Sequence, residues 1–135
     1  MRKFMVVGVA AVAAAACATT AGSERVNKAA AQTLAEHQPT GKTERCISTS
    51  RISQMTAVDE NTLLFRTGVN DYYVNKVKGR CNGATLASNR FEYRVSTAQL
   101  CSIDIINVVD SSGFINGTCS LGVFEELEPK SEAAE

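Results

Sequence analysis

Few residues in this 135-residue chain have the chemistry for a reaction or a metal site: five cysteines, one histidine and 14 acidic side chains. Cys46, Cys81, Cys101 and Cys119 stand 35, 20 and 18 residues apart, without the C-x-x-C spacing that closes a zinc site, and the one histidine, His37, lies outside that run. No metal and no cofactor is therefore expected. Serine or cysteine hydrolysis is not expected either, because no G-x-S-x-G occurs and His37 is the sole imidazole able to act as a base. A carboxylate pair for glycoside chemistry would have to come from Asp59, Glu60, Asp71, Asp104 or Asp110. Asp59, Asp71 and Asp110 occupy turn sequences, where Asp serves the backbone, and Asp110-Ser-Ser-Gly lacks the remaining ligands of a calcium loop. Asp104 interrupts the most apolar stretch of the chain, and the expectation is that it faces solvent or accepts from a nearby amide.

The fifth cysteine has a different setting. Arg2 and Lys3 precede an uninterrupted apolar run, Phe4 to Ala16, which is shorter than the roughly 20 residues a membrane-spanning helix needs. The run ends at Ala14-Ala15-Ala16-Cys17, and here the chain resembles a bacterial lipoprotein precursor, with residues 1–16 as signal peptide and Cys17 as the lipidated, palmitate-bearing N-terminus. Ordinary signal cleavage after Ala16 or Ala18 is the alternative. Cysteine arithmetic favours lipidation, which leaves an even four to pair in an oxidising compartment. Ala18 after the cysteine resembles lipoproteins sorted to the outer membrane. The expected location is thus the periplasmic face of that membrane, anchored by lipid without crossing it.

Charge adds an exclusion. The 14 Lys+Arg balance the 14 Asp+Glu, which argues against a nucleic-acid partner. Without Arg2 and Lys3 the balance becomes 12 to 14, and five glutamates fall between Glu125 and Glu135, read as an acidic disordered tail over residues 125–135.

The elements that must position these groups follow from hydrophobic pattern. Residues 17–45 read as a lipidated N-terminus and tether, with Ser23 capping an alanine-rich helix from Glu24 to about His37 that stops before Pro39. Little apolar surface on that helix can be buried, so a spacer that frays is expected. Residues 46–124 change to short β-branched and aromatic runs separated by Gly, Asn, Asp and Ser. The expected strands are Cys46–Ile52, Thr62–Arg66, Tyr72–Val77, Phe91–Val95, Ile103–Val109 (central, being nearly continuous in apolar residues) and Thr118–Phe124. No amphipathic crossover helix lies between them. The fold class is therefore all-β, a small antiparallel meander closing into a barrel or a two-layer sandwich, stapled by two disulfides and preceded by a helical or flexible tether. Alternation places Cys101 with Ile103 and Ile105, and Cys119 with Leu121 and Val123, on the buried side. Of the three possible pairings, Cys81 with Cys101 and Cys46 with Cys119 is favoured, because it closes a central hairpin and ties the first strand to the last.

One surface feature has the chemistry of a binding site. Lys76, Lys78 and Arg80 stand two apart, and Arg90 and Arg94 are placed to join them across a sheet. Such a stripe would suit an anionic envelope polymer or an acidic envelope protein, the alternative being a merely solvated face.

Asp59-Glu60-Asn61-Thr62-Leu63-Leu64-Phe65, Tyr73 to Val77 with Asn75, Cys81-Asn82-Gly83, Leu100-Cys101-Ser102-Ile103-Asp104 and Cys119-Ser120-Leu121-Gly122-Val123-Phe124 resemble a family of small proteobacterial envelope proteins classified as domain of unknown function 6491. Asn82 departs from the Pro of that pattern, a change confined to a turn. The resemblance implies a cysteine framework around short strands behind a signal or lipoprotein leader, and brings no activity with it. The functional expectation is a lipid-anchored periplasmic binding or structural module that is not an enzyme. Two alternatives are an inhibitor of an exogenous hydrolase such as lysozyme, by analogy of fold alone, and an envelope enzyme using Asp104.

Overall fold

The computed structural model describes residues 27–131. The leader and Cys17 lie outside the described residues. In chain order the elements are α1 (Lys28–Ala35), β1 (His37–Glu44), β2 (Cys46–Ser48), β3 (Gln54–Ala57), β4 (Thr62–Arg66), β5 (Tyr72–Lys76), β6 (Arg90–Tyr93), β7 (Gln99–Cys101), β8 (Ile105–Val109), β9 (Ile115–Ser120) and β10 (Phe124–Pro129). A 3₁₀ turn, Thr49–Arg51, follows β2.

All pairings between strands are antiparallel. One sheet has five strands in the order β1-β10-β5-β4-β3, a second pairs β2 with β7, and a third runs β6-β8-β9, with β8 central as its apolar run predicts. The all-β expectation holds, with α1 packed outside the larger sheet. β4 explains this layering. Leu63 and Phe65 enter the main core with Ile106, Leu121 and Phe124, while Leu64 faces the other way, into a smaller cluster with Ala30, Val58, Val74 and Leu127. A strand buried on both faces needs a cover on each, and α1 supplies the outer one.

The helix is thus a docked element and not a fraying spacer. Its N-cap is Asn27, whose Oδ1 accepts from the Ala30 amide at 3.2 Å, in place of the expected Ser23. His37 belongs to β1; its Nδ1 donates to the Thr33 carbonyl at 2.6 Å, and its ring meets the Tyr72 ring edge-on, 4.9 Å between centroids.

The boundaries at 46 and 124 are also corrected. β1 lies in the supposed tether, and β10 occupies the start of the supposed disordered tail, between β1 and β5. Phe124 and Leu127 anchor β10 on opposite faces of the sheet, which is enough to order an otherwise acidic segment. β1 has no apolar anchor in its sequence and is held by its backbone ladder. As an edge strand it carries Pro39 and a register shift around Gly41, where φ is 89°.

The disulfides are Cys46–Cys101 and Cys81–Cys119, not the favoured alternative. β2 and β7 place Cys46 directly opposite Cys101. The bonds from Ser102 N–H to Arg45 O and from Thr49 N–H to Ala98 O make that position a non-hydrogen-bonded pair, where facing side chains come closest. Ile103 (78% exposed) and Ile105 (54%) point outward, because a turn separates Cys101 from β8 and alternation does not carry across it. In β8 the inward residues are Ile106 and Val108; in the run after Cys119, Leu121 is buried and Val123 is exposed.

Candidate functional site

The sequence-derived candidates occupy separate places. Lys76 ends β5 and Lys78 bridges Ser120 of β9, whereas Arg90 starts β6 and Arg94 follows it. β8 and β9 both lie between β6 and the Lys78 bridge, so about three strand spacings, roughly 14 Å, separate the two groups. Arg80 is paired with Glu60. Arg90 Nη2 lies 3.0 Å from Glu92 Oε1, and its Nη1 donates to the Asp110 carbonyl at 3.3 Å. The five cations therefore do not form one stripe, and two of them already have acidic partners.

The acids are similarly engaged. Asp104 Oδ2 accepts from the Cys101 amide at 2.7 Å, and its own N–H donates to the Cys101 carbonyl at 2.9 Å, closing the turn that leads into β8. Asp59 Oδ1 accepts from Asn61 N–H, and Asp110 Oδ1 accepts from the amides of Ser112 and Phe114. Asp59 and Asp110 shape turns by the Asx mechanism, whereas Asp104 bonds back to the amide three residues before it. Among the described residues no group of three or more His, Cys, Asp or Glu gathers so as to hold a metal ion, and no helix is long and apolar enough to cross a membrane.

A charged cluster that the sequence did not reveal surrounds Tyr73. Burial pushes its phenol above the usual 10.0; Glu44 and Glu126 add to this and Arg51 opposes it. Glu126 is the cross-strand partner of Tyr73, and Glu44 is that of Phe124, so register gathers residues from three strands onto one face. No sequence pattern could show this, because their spacing is set entirely by pairing.

Among the described residues a cleft of about 660 Å³ lies between β3 and β6. Its volume is in the range of small-molecule and peptide sites. One wall is the consecutive run Ile52 to Ala57. If the cleft lay over a face of the sheet, alternate residues would line it; a consecutive run means that the edge of β3 lines it. Phe91 and Tyr93 of β6 also line it, as does Leu86 from the loop joining β5 to β6. That loop is built from short turns, with Ala84 N–H on Cys81 O, Leu86 N–H on Gly83 O and Asn89 N–H on Leu86 O. The Asn89 side chain donates to the Gly83 carbonyl at 2.9 Å, where Gly83 takes a φ of 75°. Cys81, at the root of the loop, is tied to Cys119 of β9. The disulfide fixes the root of the loop to the three-stranded sheet, and the Cys81 N–H to Glu60 O bond holds it beside the turn before β4. Among the described residues Arg90 is the one ionised side chain lining the cleft, and Glu92 engages it.

This arrangement is that of a small disulfide-stapled antiparallel β module in which, among the described residues, β3 and β6 are edge strands that border one cleft. The chain belongs to the family of unknown function DUF6491, whose family model matches residues 1–121 and so spans every strand except β10. Comparison with curated proteins and with solved structures found no match.

Proposed function

We propose that this protein is a lipid-anchored, non-catalytic binding module of the bacterial envelope, held at the periplasmic face of the outer membrane through Cys17, and that its partner is another envelope component. The observation that carries the binding part is the seam between β3 and β6, a neutral cleft of about 660 Å³ whose walls are held by a disulfide-rooted loop. The anchoring part rests on the apolar leader ending at Ala14-Ala15-Ala16-Cys17. The non-catalytic part is supported by Asp59, Asp104 and Asp110, whose carboxylates are taken up by backbone amides. Ten residue steps separate Cys17 from Asn27, a reach of at most about 35 Å, so the anchor would keep the cleft close to the membrane surface.

A photo-crosslinking residue at Leu86, activated in intact cells and followed by mass spectrometry, tests the binding reading. A discrete adduct that is absent when the crosslinker replaces exposed Val69, away from the cleft, is expected. Identical adduct patterns from both positions would remove the cleft as the binding site. Anchoring is tested separately: the mature N-terminus is expected to be acylated Cys17, with globomycin blocking its processing, and an unmodified cysteine refutes it.

A further inference from the structure

The chemistry of the seam specifies its ligand more closely than its volume does. In an antiparallel pair, alternate residues direct both main-chain groups toward one neighbour and the residues between them direct theirs the opposite way. The Val77 N–H to Asn61 O bond sets the odd residues of β4 against β5, and the Val58 N–H to Thr62 O bond sets its even residues against β3. Leu64 and Arg66 therefore pair with Thr56 and Gln54, and the main-chain groups of Met55 and Ala57 turn away from β4, into the cleft.

The same alternation holds across the seam. The Leu121 N–H to Asp104 O bond sets the even residues of β8 against β9, so Asn107 and Val109 pair with Glu92 and Arg90. The main-chain groups of Phe91 and Tyr93 are left facing the cleft from the other side. None of these four residues has a main-chain partner beyond its own ladder among the described residues.

The far edges of the two larger sheets are blunted. β1, the far edge of the five-stranded sheet, carries Pro39, a register shift and exposed Lys42. β9, the far edge of the three-stranded sheet, is capped by the Lys78 bridge at Ser120. The unblunted edges of both sheets thus border one cleft.

We infer that this cleft takes an extended, uncharged polypeptide segment of a partner protein as an added β-strand. A peptide presents an N–H and a C=O to the same side at every second residue, the repeat that separates Met55 from Ala57 and Phe91 from Tyr93. Ala57 belongs to the main core, and Met55, Phe91 and Tyr93 are partly buried against it, so an inserted strand would extend that core with small or apolar residues on its inner face. A neutral lining, with Arg90 engaged by Glu92, offers no counter-charge to an anionic polymer or a basic peptide. This inference rests on the binding reading above and narrows it to one class of ligand.

The test uses the oxidised full-length mature chain and a displayed library of random linear ten-residue peptides. Selected peptides are expected to be extended and poor in charge, and to lose at least about ten-fold in affinity when alternate backbone amides are N-methylated, as loss of main-chain bonds requires. Met55→Pro, which removes an outward N–H without touching the β4 ladder, is expected to weaken binding to a similar degree; Met55→Ala, which keeps that N–H, is expected to bind more tightly than the proline variant. Retained disulfides and an unchanged β4–β5 exchange pattern show that each variant has folded. Amide exchange of Met55, Ala57, Phe91 and Tyr93 should be fast in the free protein and slow in the complex.

Equal effects of Met55→Pro and Met55→Ala, binders indifferent to N-methylation, or a library yielding none would overturn the inference. So would protection of those four amides in the free protein, which would mean that the chain covers its own seam. A cleft-specific adduct in cells combined with any of these results leaves the binding reading standing and removes the strand. A glycan adduct would do the same.

Discussion

The side-chain amide of Asn75 holds both main-chain groups of Gly122: Nδ2 donates to the Gly122 carbonyl at 2.8 Å, and Oδ1 accepts from the Gly122 N–H at 2.8 Å. Asn75 is wholly buried in β5, and Gly122 lies in the link between β9 and β10. The contact mimics a strand pairing where the chain crosses from the three-stranded sheet to the five-stranded one. A side chain at position 122 is excluded, because a Cβ there would overlap the Lys76 carbonyl oxygen.

Asn75→Leu keeps the branching and heavy-atom count of the side chain and strips both main-chain groups of half-buried Gly122 of their partners. A loss of about 3 kcal/mol is expected, read as a lower urea midpoint at unchanged slope. Gly122→Ala should cost a comparable amount through the Lys76 clash. Wild-type melting of Asn75→Leu would show that the link is held by something else.

Non-reducing peptide mapping should recover Cys46 linked to Cys101 and Cys81 linked to Cys119. Their sequence separations of 55 and 38 correspond to about 4 kcal/mol each in the chain-entropy account. Titration with a mild thiol should open Cys46–Cys101 first, since both of its cysteines are half-buried whereas Cys81 and Cys119 are buried. A Cys81–Cys101 peptide would contradict the strand register.

The raised pKa of Tyr73 makes stability depend on alkaline pH. The folded chain holds the phenolic proton to higher pH than the unfolded chain, whose tyrosine ionises near 10.0, so stability is intact below that value and falls as pH rises through the folded pKa. Urea midpoints compared between about pH 9 and about pH 11 should fall more steeply for wild type than for Tyr73→Phe. Parallel slopes would remove the Tyr73 contribution.

Ala30 is 5% exposed beneath α1, against Leu64, Val74 and Leu127. Ala30→Glu should undock the helix at a cost of about 2 to 3 kcal/mol and open the α1 segment to limited proteolysis. Asn27→Ala, which removes the cap, should cost about 1 kcal/mol. Resistance of Ala30→Glu to proteolysis would place the helix's stability elsewhere.

Strands with dense apolar content are legible in the residues themselves: Thr62–Arg66 forms β4 over its full length, and the apolar run ending at Val109 is central. β1 is hidden because His37–Glu44 contains no apolar residue to set a period, and β10 because its glutamates mask the two anchors Phe124 and Leu127. Outward Ile105 beside inward Ile106 shows a further limit, since a nearly continuous apolar strand does not declare its parity. The Asx roles of Asp59 and Asp110 follow from their turn sequences. The cleft does not, because it is bounded by the edges of two sheets that lie far apart along the chain.

Local physics is enough to establish the class of fold, the even set of four framework cysteines and the turns that Asp and Gly enforce. Those properties depend on neighbours a few residues apart, whose spacing is written along the chain. Pairing partners depend on register between distant strands, and register decides that Cys46 meets Cys101, that Asn75 meets Gly122 and that Met55 and Phe91 are left facing an open seam. Each depends on how strands distant in sequence align, a condition met by the whole assembly and by no segment of it.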